Sequence, residues 1–310
     1  MISPLQKRSI LLTFDIEDWF QVENFKPYIP FSTWDERDLR VERNTHRILD
    51  LLDGFRPTGE ERTHRKDGET DVSPAPCAAK ATFFVLGWLA QRLPGLVREI
   101  RSRGHEVASH GFNHNLCNRE KEDVLKSDLL RSKRLIEDML GESVAGYRAP
   151  SFSVDERILR IIESCGYLYD SSFNSFGIHD RYGTLDLESH GRKGILAALS
   201  DTFYELPVSN VEFGRYVLPW GGGGYFRLIP SALFRMGVHW ILRHKEAYVF
   251  YLHPWEIDPD QPRVAEAGPF YKFRHYLNLN TTLKKLSTFL RAFHEASFRA
   301  CSDYVRLHIA

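Results

Sequence analysis

The stretch from Ile10 to Asp18 reads Ile-Leu-Leu-Thr-Phe-Asp-Ile-Glu-Asp, and its pattern recurs along the chain. Its first five residues are almost entirely apolar, which is typical of a strand that is buried on both faces. Three carboxylates, those of Asp15, Glu17 and Asp18, follow within four residues. They are either functional groups at the end of the strand or an acidic cluster that stabilises the N-terminus of a helix.

Further predicted strands also end next to polar, chemically active residues. Strands are predicted at 81–86, 105–109, 145–147, 166–169, 203–208 and 247–252, and His110, Arg148, Asp170 and His253 follow four of them. Helical periodicity lies between most strands, at 41–52, 120–140, 155–164 and 230–243, and a helical tail covers 279–293. This alternation predicts parallel strands joined by helical crossovers, and functional groups at their carboxyl ends are typical of an α/β barrel.

His110 and His114 are the strongest candidates for metal ligands. If Ser109–His114 is helical, this spacing places both imidazoles on one face, within reach of a single ion. With one carboxylate from Asp15 or Glu17 they would form a three-ligand site that leaves room for water, as in catalytic zinc centres. The second carboxylate could then accept a proton from that water. A solvent-facing or helix-capping histidine pair is the alternative interpretation.

Three other residues are candidates for proton transfer or positioning. His253 precedes a proline and is a plausible general acid, although a core histidine bonded to a backbone carbonyl would have the same sequence context. Arg148 could orient a carboxylate or form a plain structural ion pair. Asp170 could hold His253 in its working tautomer or cap a helix.

Aromatic residues next to these motifs are candidates for stacking on sugar rings, and Trp19, Trp220, Tyr225 and Trp255 are the residues selected, together with Pro150. In a chain this rich in aromatics, most such rings fill the core. The glycine run at 221–224 is predicted to be a turn, and it lacks the Gly-Lys-Ser/Thr of a phosphate-binding loop.

Composition limits the function and the environment. The 310 residues include 41 basic and 41 acidic side chains, so no overall charge favours nucleic acid. Four scattered cysteines show no Cys-x-x-Cys spacing, which favours reduced thiols and a cytoplasmic location. No stretch has the length of a membrane span, and no signal peptide is recognised at the N-terminus. Residues 56–79 are polar and rich in Pro and Gly, and we predict a flexible surface insertion there.

Four segments in order resemble the motifs of the polysaccharide deacetylase family (NodB homology, carbohydrate esterase 4): Thr13–Asp18, Ser109–His114, Arg148–Phe152 and Tyr251–His253. The resemblance implies a distorted (β/α) barrel and metal-dependent removal of N-acetyl groups from amino sugars. It implies that Asp15 is the base, supported by Arg148, and that His253 is the acid, with Asp170 as its partner. It further implies that His110 and His114 bind a divalent ion, with zinc expected, and that the substrate is an N-acetylated glycan.

The first motif departs from the family's usual Asp-Asp-Gly, because Asp15 is followed by Ile-Glu-Asp-Trp. The metal carboxylate is therefore Glu17 or Asp18, and Glu17 is favoured because relatives with Asp-x-acid spacing use the second residue after the base. Gly222–Arg227, His253–Glu256 and Phe273–Tyr276 resemble the subgroup found with bacterial exopolysaccharide loci. Arg227, Arg274 and His275 could line its substrate cleft.

We divide the chain into a barrel at 1–255 and a helical C-terminal extension at 256–310 packed on it, all within a single domain. Homo-oligomerisation is left open. Two other functions are compatible with the sequence: hydrolysis of a small cyclic amide, as in allantoin-type relatives on the same fold, and glycan binding by a barrel that has lost activity.

Overall fold

The computed structural model describes residues 5, 8–55, 79–176 and 185–309. The predicted insertion, apart from Ala79, lies outside these residues, as does Cys77. The strands are β1 (Ser9–Ile16), β2 (Ala81–Val85), β3 (Glu106–Ser109), β4 (Gly146–Tyr147), β5 (Tyr169–Asp170), β6 (Gly191–Lys193), β7 (Leu196–Ala198), β8 (Tyr204–Glu205), β9 (Asn210–Phe213), β10 (Tyr216–Pro219), β11 (Ala247–Leu252) and β12 (Ser297–Phe298).

The helices follow most strands, and several short 3₁₀ turns connect them. The α-helices are α1 (Val41–Asp53), α2 (Gly87–Arg92), α3 (Pro94–Ser102), α4 (Glu122–Leu140), α5 (Glu156–Ser164), α6 (Gly223–Leu228), α7 (Ser231–His244), α8 (Pro269–Tyr276), α9 (Leu279–Ala292) and α10 (Cys301–Ile309). None of the helices in the described ranges is long and apolar enough to cross a membrane.

The main sheet has the order β11-β1-β2-β3-β4-β5-β8-β7-β6, with β12 also paired to β1. The strands from β11 to β8 are parallel, and β7 and β6 add an antiparallel hairpin at one edge. Ser209 joins the region after β8 to β11, because its Oγ accepts a hydrogen bond from the Val249 N–H at 2.9 Å. The predicted distorted (β/α) barrel is therefore confirmed.

Side chains along β1 alternate between the two faces of the curled sheet. Ile10, Leu12 and Phe14 belong to the core between the sheet and the helices, whereas Leu11 belongs to a separate core inside the curl. Both faces are buried, as the uninterrupted apolar run predicts. The same period-two rule places Asp15 on the inner side, at the carboxyl end of the strand.

The C-terminal segment contributes to both layers of the core. β12 pairs with β1 in parallel, and α10 places Cys301, Tyr304 and Val305 in the apolar cluster inside the curl. The Glu106 carboxylate, on β3, accepts a hydrogen bond from the Ser302 N–H at 2.9 Å, at the start of α10. Residues 256–309 thus complete the sheet and fill its interior, and the boundary at 255 stays a prediction.

Most predicted helix ends agree with local signals in the sequence. Gly141 ends α4 with the left-handed φ of 68°, and Asp155 caps α5 by accepting a hydrogen bond from the Ile158 N–H. Three predictions were wrong in detail. The strand predicted at 166–169 is the two-residue strand β5, which begins at Tyr169. The strand predicted at 203–208 is only two residues long, and the glycine run predicted as a turn continues into α6, which starts at Gly223.

Candidate active site

The parallel strands end around a cleft of about 130 Å³. The cleft is lined by residues at the carboxyl ends of β1, β3 and β11 and by residues of α6 and α8. These residues include Asp15, Glu17, His110, His114, Arg227, His253, Trp255, Glu256, Arg274 and His275. Ser151 and Phe152 form part of the wall, and both have a positive φ (53° and 58°). Strained backbone of this kind is typical of functional sites.

Glu17, His110 and His114 form a three-residue donor cluster in this cleft. Their ligand atoms all lie within 4.8 Å of one another, and all three side chains are buried. Nε2 of His114 lies 2.8 Å from Oε2 of Glu17. The three histidines His114, His253 and His110 lower the pKa of Glu17 even though burial raises it, so the carboxylate is charged. Two imidazoles and one carboxylate fit a divalent cation such as zinc and leave coordination positions open.

A backbone hydrogen bond orients the His110 ring. Nδ1 of His110 lies 2.8 Å from the carbonyl oxygen of Arg148, so Nδ1 carries the proton and donates it. Burial lowers the pKa of His110 to about 4, which keeps the ring neutral. The Nε2 lone pair is therefore available to a metal ion, as in the outer-sphere arrangement common to zinc-binding histidines.

The helical explanation for the histidine pair was wrong. Residues 110–116 form an irregular loop, in which His114 has a φ of 56°. Asp128 on α4 holds this loop by accepting hydrogen bonds from the N–H groups of Phe112 (2.7 Å) and Asn113 (3.1 Å). The two rings lie 5.3 Å apart because the loop turns back, and not because of a helical repeat.

Asp18 faces away from the donor cluster and caps α1. Its carboxylate accepts hydrogen bonds from the N–H groups of Trp19 (2.8 Å), Arg40 (2.6 Å) and Val41 (2.8 Å). Of the two acids proposed from the sequence, Glu17 is thus the one that lies beside the histidines. The alternative interpretation of the acidic run, a cluster at a helix N-terminus, applies to Asp18 alone.

Arg148 holds Asp15 through a fully buried ion pair. Its Nη1 atom donates to Oδ1 of Asp15 at 2.7 Å and to Oγ1 of Thr13 at 2.6 Å. Nε and Nη2 donate to the carbonyl oxygen and hydroxyl of Ser171, at 2.8 and 2.9 Å. The second carboxylate oxygen of Asp15, Oδ2, lies 3.8 Å from Nε2 of His253.

The His253 ring lies between Glu17 of the donor cluster and the carboxylate of Glu256. Nε2 lies 3.0 Å from Oε1 of Glu17, and Nδ1 lies 2.7 Å from Oε1 of Glu256. Burial opposes the charged form of the ring, but Glu17, Glu256 and Asp15 together raise the pKa of His253 to about 9. Trp255 stacks on the ring at 5.3 Å.

The expectation that Asp170 positions His253 was wrong. Tyr169 lies in the core inside the curl and Ser171 contacts Arg148, so the intervening Asp170 points to the opposite face of the sheet. There its carboxylate accepts hydrogen bonds from the N–H and hydroxyl of Ser172, at 2.9 and 2.8 Å. It lies beside its β8 neighbour Glu205, and burial raises the pKa of both acids.

Only one of the residues selected for sugar contact lies in the cleft, and that is Trp255. Trp19 and Trp220 are core residues whose indole N–H groups donate to the carbonyls of Asp38 and Phe234. Tyr225 packs edge-on against Phe176, and Pro150 is buried. The prediction that Arg227, Arg274 and His275 line the cleft agrees with the structure.

Glu256 is the residue that sequence reasoning did not select. It lies three positions after His253, within His-Pro-Trp-Glu, and the 3₁₀ turn Pro254–Ile257 folds its carboxylate back onto the histidine. The N–H of His253 also donates to Oε1 of Glu256, at 3.1 Å. The Ser/Thr-x-x-Glu capping box is a recognisable local signal, and here histidine occupies its first position.

Two family models match this chain. Residues 77–169 match the model described as "Polysaccharide deacetylase", and residues 171–306 match "Domain of unknown function (DUF3473)". The first range includes His110, His114 and Arg148, and the second includes His253 and Glu256. Asp15 and Glu17 precede both ranges.

Curated relatives include a peptidoglycan-N-acetylglucosamine deacetylase from Bacillus cereus, 30% identical over 89 residues, which are 29% of this chain and 41% of that protein. The peptidoglycan-N-acetylglucosamine deacetylase PgdA from Listeria monocytogenes is 27% identical over 146 residues, which are 43% of this chain and 31% of PgdA. The chain thus spans less than half the length of these relatives.

Solved structures of other proteins share the fold, and two examples follow. A candidate polysaccharide deacetylase from Mycobacterium smegmatis superposes with a TM-score of 0.62 at 20% identity, covering 97% of this chain and 89% of that one. PuuE allantoinase superposes with a TM-score of 0.57 at 14% identity, covering 97% and 90% of the two chains. At these identities the likeness concerns the fold alone, which both kinds of protein share.

Proposed function

Because the chain belongs to the polysaccharide deacetylase family of NodB homology, carbohydrate esterase 4, we propose that it is a metal-dependent hydrolase of N-acetylated amino sugars. Its substrate is a bacterial polysaccharide or the precursor of one, and an exopolysaccharide is the finer proposal. The observation that supports this proposal is that Glu17, His110 and His114 lie in one cleft with Asp15 and His253.

Glu17, His110 and His114 would hold the divalent ion, and zinc suits this donor set. When bound, such an ion polarises a carbonyl oxygen and makes a nearby water more acidic. Asp15 is suited to be the base because Arg148 occupies Oδ1 and leaves Oδ2 toward His253 in the cleft.

The reaction hydrolyses an amide bond. Asp15 takes one proton from the attacking water, whose oxygen bonds to the acetyl carbon. His253 donates a proton from Nε2 to the nitrogen as the carbon–nitrogen bond breaks, and the products are acetic acid, which ionises to acetate, and a free amine. Asp15 then releases the proton that it took and His253 regains one from solvent, which restores the site. Burial of the site excludes bulk water and strengthens the electrostatic interactions that stabilise these steps.

The test is acetate release from a panel of N-acetylated oligosaccharides, with zinc-loaded and chelator-treated protein assayed side by side. Allantoin and a cyclic imide serve as comparison substrates, since PuuE allantoinase shares the fold. We expect metal-dependent acetate release from at least one sugar. Turnover of the cyclic amides alone, with one metal bound per chain, would instead favour the allantoin-type function, and failure to bind metal would contradict both.

A cytoplasmic location and the use of zinc rather than another divalent ion are further proposals. Cys117, Cys165 and Cys301 are buried free thiols in the described part of the chain, which is in keeping with a reducing compartment. Metal analysis of protein purified without added metal tests the identity of the ion.

A further inference from the structure

Glu256 is buried between two charged side chains. One carboxylate oxygen, Oε1, lies 2.7 Å from Nδ1 of His253, and the other, Oε2, accepts a hydrogen bond from Nε of Arg227 at 2.6 Å. The side chains of Glu256 and Arg227 are 0% and 2% exposed. A carboxylate in this position accepts from both neighbours, so it requires a proton on Nδ1 of the histidine.

Arg227 in turn joins this carboxylate to the C-terminal segment. Besides Glu256, its guanidinium donates to the carbonyl oxygens of Arg274 (3.0 Å), His275 (2.8 Å) and Leu277 (2.6 Å). These acceptors lie on the last turn of α8 and just after it. The planar fork of arginine can satisfy all of these acceptors at once, which the single ammonium of lysine cannot do.

Aromatic stacking also joins the turn after β11 to α8. The rings of Trp255 and His275 lie 4.2 Å apart and within 8° of parallel, and Trp255 also stacks on His253. Nε2 of His275 is 2.7 Å from Oε1 of Gln261, which orients this buried ring. The turn that carries Glu256 is therefore supported by α6 on one side and by α8 on the other.

We propose that Glu256 is the residue that positions His253, and that Arg227 and residues 274–277 hold Glu256 for this purpose. This assigns a role to the region that matches the domain of unknown function: it orients the proton-donating histidine of a site whose three metal-donor residues precede that region in the chain. The expected effect of Glu256 on turnover rests on the proposed function. The effect on the tautomer of His253 does not depend on any substrate.

The substitution Glu256→Gln tests the proposal because it keeps the size of the side chain. The charged guanidinium of Arg227 has only donors, so we expect the new amide oxygen to face Arg227 and the amide NH₂ to face His253, whose main-chain N–H then loses its acceptor. Nδ1 would then accept instead of donating, and neutral His253 would carry its proton on Nε2. We expect kcat to fall about 10–100-fold, the usual cost of removing a group that orients a functional histidine, with KM and metal content nearly unchanged.

Asp258→Asn is the matched control. Asp258 lies two residues further on, its side chain is 2% exposed, and it forms a buried ion pair with Arg40 at 2.7 Å without facing the cleft. This variant should lose stability while kcat remains that of the parent protein. Arg227→Lys should lower kcat in the same direction as Glu256→Gln, since lysine cannot reach all of the acceptors.

The tautomer of His253 is read from ¹⁵N NMR of histidine-labelled, zinc-loaded protein, at a pH where the ring is neutral. We expect the proton on Nδ1 in the parent protein and in Asp258→Asn, and on Nε2 in Glu256→Gln. An unchanged tautomer in a folded Glu256→Gln protein would overturn the proposal, as would a kcat within twofold of the parent. If the parent protein released no acetate, the proposed function would fail, and the tautomer would still decide whether Glu256 positions His253.

Discussion

Nη1 of Arg148 lies 2.7 Å from Oδ1 of Asp15, although the two residues are 133 positions apart in the chain. Both are buried, and Ser171 and Thr13 accept three further hydrogen bonds that orient the guanidinium. The guanidinium of Arg148 therefore determines that Oδ2 of Asp15, and not Oδ1, faces His253.

Arg148→Lys should lower kcat/KM at least tenfold. Lysine keeps the charge but cannot make the separate hydrogen bonds to Asp15, Thr13 and Ser171, so the carboxylate loses its orientation. Steady-state acetate release measures the effect, with Arg92→Lys as the control, because Arg92 pairs with Asp35 at the surface. Equal activity of the parent and Arg148→Lys would show that orientation of Asp15 is unimportant.

Glu17→Gln should weaken metal binding strongly, whereas Asp18→Asn should retain the metal and lose stability. The reason is that Glu17 lies in the donor cluster and Asp18 caps α1 through three backbone N–H groups. Calorimetric titration with Zn²⁺ and thermal denaturation separate the two effects. The reverse pattern would make Asp18 the metal ligand.

His253→Ala should keep the metal and lower kcat about 10²–10⁴-fold, the usual contribution of a general acid. Nε2 of His253 approaches Glu17 but the ring is outside the three-ligand cluster, so metal content should stay at the parental level. Loss of metal together with activity would instead indicate that His253 is a ligand. His244→Ala, at the end of α7, is the control for loss of an imidazole outside the cleft.

Asp258 should make the free energy of unfolding depend on pH. Burial raises its pKa, but hydrogen bonds from Arg40, Asn44 and Arg43 outweigh burial and lower the pKa to about 2. The stabilisation is therefore complete above the ordinary pKa of 3.8 and is lost as the pH falls through about 2. The unfolding free energies of the parent and Asp258→Asn, measured by urea denaturation between about pH 6 and 2, should converge by about 2 kcal/mol as the pH falls. A constant difference would contradict the low pKa.

Gly222→Ala should destabilise the protein and disturb the cleft. Gly222 has a φ of 140°, and an added Cβ would lie 1.9 Å from the carbonyl oxygen of Tyr251, two residues before His253. Gly95→Ala is the matched control, since a Cβ at this α3 position meets nothing within 4 Å and alanine favours helix by up to about 1 kcal/mol. Thermal denaturation should show opposite shifts for the two variants, and a stable, active Gly222→Ala protein would contradict the close approach.

The class of fold and most of the residues at the site could be predicted from the amino-acid sequence. Continuous apolar runs such as Ile10–Phe14 are typical of strands covered on both faces, and parallel strands bring their carboxyl ends to one edge. Asp15, His110 and His253 could therefore be predicted as neighbours. Glu17, favoured by motif resemblance, lies with the histidines as expected.

The contacts between these side chains could not be predicted from the sequence, because they depend on how the folded chain is arranged. A shift of one residue along a strand moves a side chain to the opposite face of the sheet. In the two-residue strand β5, Asp170 lies on the face away from the cleft. The face could not be predicted from so short a segment. The pairing of His110 and His114 depends on a loop held by Asp128, and Glu256 reaches His253 because a 3₁₀ turn and Arg227 hold it there. Such contacts join residues that are distant in sequence or in irregular segments, and periodicity carries no information about them.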